Sequence, residues 1–107
     1  MIKKIILGAG CAALLVAGLA QAANPAAGKE KSKTCAACHG PDGNSAAPDF
    51  PRLAGQHYDY LVKALSDYKT GERKNAIMAP QATNLSKRDI EDLAAFYSRQ
   101  QGLVVKY

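Results

Sequence analysis

The chain has 107 residues, with 14 Lys and Arg against 9 Asp and Glu and a formal charge of +5. That length suits one small domain. The basic excess is mild, with no Arg/Lys run interleaved with aromatics, so nothing argues for nucleic acid. No Gly-rich phosphate loop, Ser–His–acid set, internal repeat or low-complexity segment is present.

The first segment reads as an address label. Met1-Ile2-Lys3-Lys4 is a short positive start, Ile5 to Leu19 is apolar, and Ala20-Gln21-Ala22 is a small-x-small cleavage site. This pattern predicts a secretory signal peptide over residues 1–22, cut after Ala22. The apolar run is short for a membrane span of about twenty residues. Cys11 lies deep in that run, with Gly rather than Leu three positions ahead of it, so it is expected to leave with the leader rather than to carry a lipid. Residues 23–107 remain as one domain, and a chain so short is marginal without a staple. A buried apolar cofactor would supply the missing core.

Asn24 and Pro25 suit a helix start, and Ala26 to Lys33 reads as a short helix of good formers. Lys29, Lys31 and Lys33 are expected in solvent, and Gly28 implies close approach of another helix. Cys35-Ala36-Ala37-Cys38-His39 follows directly. This spacing is that of a c-type haem attachment site. Two thiols add to the two vinyl groups of one haem, and the adjacent imidazole lies under the iron. A redox dithiol or half a zinc site is the competing reading. Zinc lacks a second Cys pair, and no βαβ pattern frames a thioredoxin-like dithiol. Gly40-Pro41-Asp42-Gly43-Asn44 ends the helix.

Ser45 to Gln56 is a loop carrying Pro48 and Pro51, which bar regular helix. His57 to Thr70 is an amphipathic helix with Tyr58, Leu61, Leu65 and Tyr68 at helical spacing and Gly71 at its C-terminal end. Glu72 to Pro80 reads as a charged turn and a Pro-bounded loop presenting Met78, with Pro80 stopping any helix. Met78 is the single methionine left after the leader and is a candidate iron ligand; His57 competes for that role, and core filling is the plain alternative. Gln56, Arg52, Tyr60 and Tyr68 are candidates for contact with haem propionates. Ser86-Lys87-Arg88-Asp89 is a near capping box, and Ile90, Leu93, Ala94, Phe96 and Tyr97 give the last helix its apolar stripe, with Gly102 expected to close it. The tail 103–107 has β-type composition.

Taken together, the Cys35–His39 motif, Pro51-x-Leu53-x-Gly55-Gln56, Met78 and the C-terminal amphipathic helix resemble a class I cytochrome c, nearest the small soluble cytochromes of bacterial periplasms. The resemblance implies an all-α fold, with three to five short helices and loops wrapped around one haem bound covalently through Cys35 and Cys38. It also implies that the Pro51 carbonyl accepts from Nδ1–H of His39, that Leu53 presses on the haem face, and that His39 and Met78 are the two iron ligands. Gly28 is expected to meet Phe96 or Tyr97 where the first and last helices cross. One departure is that Lys31 and Ser32 stand where an aromatic often packs on the last helix, which implies a thinner interface there. The implied role is a periplasmic one-electron carrier that is not itself an enzyme. It would meet redox partner proteins transiently, with no small-molecule substrate and no nucleic acid. It would act as a monomer or weak dimer, touching membranes only through membrane-bound partners. The alternatives are a haem subunit of a larger dehydrogenase and a peroxidase-like haem enzyme with a displaceable methionine.

Overall fold

Asn24 sets the first helix by turning its side chain back on the chain: its Oδ1 accepts from the amides of Ala26 and Ala27 at 3.0 and 3.2 Å. The computed structural model describes residues 22–102. Among these residues there are five helices and no strand: α1 (Pro25–Lys31), α2 (Lys33–His39), α3 (Tyr58–Thr70), α4 (Met78–Thr83) and α5 (Lys87–Ser98). The expected leader, including Cys11, lies outside the described residues apart from Ala22, and so does the tail 103–107. No helix among the described residues is long and apolar enough to cross a membrane.

The predicted helix over residues 26–33 is interrupted at Ser32 and then resumes through the cysteines. The Ser32 hydroxyl donates to the Lys29 carbonyl at 2.7 Å, a local bond that competes with the helix ladder. The expected meeting of the first and last helices is present: α1 packs across α5 at Gly28, against Asp92 and Phe96. The surrounding contacts are polar. Lys31 was expected in solvent but instead pairs with Asp92 at 2.7 Å and Asp89 at 3.0 Å. The Asp92 side chain is 3% exposed and also accepts from the Asn24 amide at 2.8 Å. A charged clasp thus stands where the resemblance implied only a thinner interface.

Ser86 and Asp89 form the anticipated capping box on α5, the Asp89 amide donating to Ser86 Oγ at 3.0 Å and the Ser86 amide to Asp89 Oδ2 at 2.9 Å. Helix α5 is central: Ile90 and every residue from Asp92 to Tyr97 are buried. Leu61 of α3 joins Leu93, Ala94, Phe96 and Tyr97 in the core, with Leu65, Leu53 and Cys35 packed against it. Helix α5 ends at Ser98 rather than at Gly102. Gly102 serves packing instead: a Cβ there would stand 2.1 Å from Asn44 Oδ1.

Pro80 lies inside a helix. It was expected to keep Met78 on a loop, but Met78 is the first residue of α4 and Pro80 the third. Amides in the first turn have no intrahelical acceptor, so a proline there removes no bond. Asn75 starts the turn, its Oδ1 accepting from the amides of Ile77 and Met78, both at 2.9 Å.

Candidate functional site

Helix α2 carries Cys35, Cys38 and His39 within its last turns, which sets both thiols and the imidazole at one end of one short element. Neither cysteine is joined in a disulfide, and both are of intermediate exposure. His39 is buried, at 6% exposure. Its Nδ1 lies 2.8 Å from the Pro51 carbonyl oxygen. A carbonyl only accepts, so Nδ1 carries the proton and Nε2 keeps its lone pair.

The loop that brings Pro51 over the ring is anchored through Gly43. The Gly43 carbonyl accepts from the amides of Leu53 and Ala54 at 2.8 and 3.2 Å. Gly43 has φ +85°, and a Cβ would stand 2.8 Å from Tyr97 Cδ1, so a side chain is excluded on both counts. The Gly55 amide donates to the Tyr97 carbonyl at 3.0 Å, which ties the far end of the same loop to α5.

Two adjoining hollows of about 200 and 240 Å³ open beside this turn. Cys35, His39, Pro51, Tyr68 and Met78 line both, so they are parts of one slot. Each alone falls short of the roughly 300–1,000 Å³ usual for cofactor sites, and together they reach it. Leu53, Leu61, Leu65, Leu93 and Ala94 supply apolar wall to the first hollow. Cys38 lines only the second. His57, the rival ligand, lines neither and sits instead at the N-terminus of α3.

Of the residues considered for propionate contact, Arg52, Gln56, Tyr60 and Tyr68 all reach the first hollow. Arg73 joins them and was not singled out from the sequence. Its guanidinium donates to Tyr60 Oη at 3.2 Å and lies 4.8 Å above the Tyr68 ring. The available signal was its place just after Gly71, where the chain turns back on α3.

The donor set fits a covalently held haem. The slot has apolar walls, two cysteine sulfurs not joined to each other, an imidazole with a fixed tautomer and one thioether. Among the described residues no three His, Cys, Asp or Glu side chains gather as a metal site, so the zinc reading finds no support.

Comparison with known proteins agrees. The cytochrome c family model matches residues 25–99. Cytochrome c4 of Pseudomonas aeruginosa is 51% identical over 85 residues, covering 78% of this chain and 42% of that protein. Cytochrome c-554(548) of Halomonas halodenitrificans is 47% identical over 83 residues, covering 75% of this chain and all of that protein. The crystal structure of reduced cytochrome c4 from Pseudomonas stutzeri superposes with a TM-score of 0.73 at 46% identity, over 78% of this chain and 48% of that one. The chain thus spans under half the length of the cytochrome c4 proteins it matches. With the family model covering most of the described fold, the chain belongs to the cytochrome c family and holds haem c covalently through Cys35 and Cys38.

Proposed function

We propose that this chain is a periplasmic one-electron carrier whose haem iron is held between His39 and Met78. The observation that carries the reading is the shared slot: the Pro51-tethered imidazole and the single thioether of the described residues line the same walls as the two thiols. When bound, haem supplies one reversible ferrous–ferric couple, whose potential a thioether ligand raises.

The protein's own residues do the rest. The Pro51 carbonyl orients the His39 ring and strengthens it as a donor. Leu53, Leu61, Leu65 and Leu93 keep water from the slot, which favours the less charged state of the centre. Arg52, Gln56 and Arg73 offer cationic and amide groups at its rim for acidic substituents. Asn75 holds the backbone of Met78 through two amides, so the thioether is delivered from a helix start rather than from a slack loop. Held by both His39 and Met78, the iron would have no place left for a substrate, and the role would be carriage rather than catalysis. Basic side chains around the slot would steer brief encounters with redox partner proteins. In this reading residues 1–22 are a signal peptide and 23–107 the functional domain, monomeric or weakly dimeric.

The test is an optical spectrum of the oxidised protein purified from periplasm. Met78 ligation predicts the weak far-red sulfur-to-iron band, and Met78→Ala should lose it while the haem stays attached. A far-red band that survives Met78→Ala would overturn the ligand assignment. A second reading, a haem subunit of a larger dehydrogenase, draws on the likeness to the thiosulfate dehydrogenase (TsdBA) structure from Marichromatium purpuratum, with a TM-score of 0.70 at 33% identity over 75% of this chain. Gel filtration of the periplasmic extract separates the two by the size at which the haem elutes.

A further inference from the structure

The Tyr97 hydroxyl is the one buried side-chain polar atom among the described residues left without a hydrogen-bond partner. Tyr97 is 3% exposed. Its ring is held from two sides, by Phe96 with ring centroids 5.0 Å apart and by the Gly43 backbone, so the hydroxyl cannot swing out to water. An unpaired buried hydroxyl destabilises the fold. Such a group calls for an explanation in terms of what the mature site contains.

Two side chains face that hydroxyl, Ser32 and Cys35. Burial raises the Tyr97 phenol, so it remains a neutral donor across the physiological range. Ser32 donates its own proton to the Lys29 carbonyl at 2.7 Å and its oxygen is still able to accept, but it stands outside the slot. Cys35 and Tyr97 both line the slot, and Cys35 packs on the cluster that Tyr97 belongs to. Attachment changes the chemistry of Cys35 alone. Its S–H adds across a vinyl group, sulfur bonding one carbon and the proton going to the other, with no change of oxidation state. The product thioether has no proton and can only accept.

We infer that in the mature protein the Tyr97 hydroxyl donates to the Cys35 thioether sulfur, and that this bond draws electron density from the haem periphery and holds the reduction potential up. Tyr97 is thus a positioning and tuning residue rather than an iron ligand. The inference rests on attachment at Cys35 and is independent of whether Met78 ligates.

Proton NMR of the ferrous holoprotein tests it together with the midpoint potential. The expected result is a slowly exchanging hydroxyl resonance with Overhauser effects to the Cys35 β protons and the adjoining thioether methine. Tyr97→Phe, which keeps the ring, should remove that resonance and lower the midpoint potential. A hydroxyl seen only against the Ser32 β protons would overturn the proposal, and so would a potential unmoved by Tyr97→Phe. If Tyr97→Phe fails to fold, the wild-type spectrum alone decides between Cys35 and Ser32. The thioether methine signals report attachment by themselves, so loss of the hydroxyl contact is distinguishable from loss of the haem link.

Discussion

A Cβ built on Gly28 would stand 1.9 Å from the Asp92 carbonyl oxygen and 2.8 Å from Phe96 Cβ. The nearest obstacle is backbone of the central helix, which cannot give way as a flexible side chain would. Gly28→Ala must therefore separate α1 from α5. The expected cost is about 3 kcal/mol or more, at the upper end of overpacking. For a domain of this size that corresponds to a fall in Tm of more than about 10 °C. Thermal unfolding followed by circular dichroism measures it, and an unchanged Tm would show that the two helices do not cross here.

Much of this crossing was legible beforehand. A glycine inside an otherwise good helix pointed to close approach, and the spacing of Ile90, Leu93, Ala94 and Tyr97 marked the buried face of α5. The role of Lys31 was not legible. A lysine on a short polar helix reads as solvated because nothing local reveals a buried carboxylate sixty-one residues away. Pro80 misled for a related reason: its effect depends on where the helix starts, and Asn75, which sets that start, lies five residues upstream. The Cys35–His39 motif needed no tertiary information, because its chemistry resides in adjacent residues. Arg73 and Tyr97 acquire meaning only once α3 and α5 fold against the attachment turn.

The Lys31–Asp92 clasp makes stability depend on acid. Burial alone would push the Asp92 carboxyl up, but the Lys31 ammonium, the Asn24 amide and the charge of Arg88 bring it below its usual 3.8. Asp89 is lowered too, first by the Ser86 amide and then by Lys31. A carboxyl held low in the folded state adds stability above its unfolded pKa and loses it as the pH falls through the folded value. Stability should therefore be level above about pH 5 and drop as the pH falls below about 4. Lys31→Met removes the partner and leaves a buried carboxylate, at a cost on the order of 2 kcal/mol at neutral pH. Urea unfolding at pH 7 and pH 3.5 should show the wild-type advantage shrinking at the lower pH. An equal difference at both would mean that the clasp does not act through charge.

Arg73 bears on the potential. It reaches the slot, braced by Tyr60 and by the face of Tyr68. A guanidinium so placed favours the state of the centre with less positive charge, and it also stabilises an ionised acidic substituent beside it. Arg73→Gln should lower the midpoint potential at neutral pH and shift its pH dependence toward higher pH, with Tm changed little, since exposed substitutions usually alter stability by under about 0.5 kcal/mol. Protein-film voltammetry from pH 5 to 9 follows both, and superimposable curves for the two proteins would place Arg73 outside the electrostatics of the centre.

The last prediction separates the methionine from the turn that delivers it. Asn75 Oδ1 accepts from the Ile77 and Met78 amides, so the first turn of α4 is capped from outside the assigned helix. Removing such a cap costs about 0.5–2 kcal/mol. Asn75→Ala should leave haem attachment intact, because Cys35, Cys38 and His39 belong to α2. It should loosen α4, so that the far-red sulfur band fades at a lower temperature or pH extreme than in the wild type, while Asn75→Asp keeps the acceptor and restores it. Added imidazole should then displace the thioether about twofold to thirtyfold more readily in Asn75→Ala, the ratio that 0.5–2 kcal/mol represents. Titration of the oxidised protein with imidazole, read at the Soret band, measures that ratio. Equal imidazole affinity in both proteins would mean that Met78 is held by slot packing alone and that the cap contributes nothing to its grip.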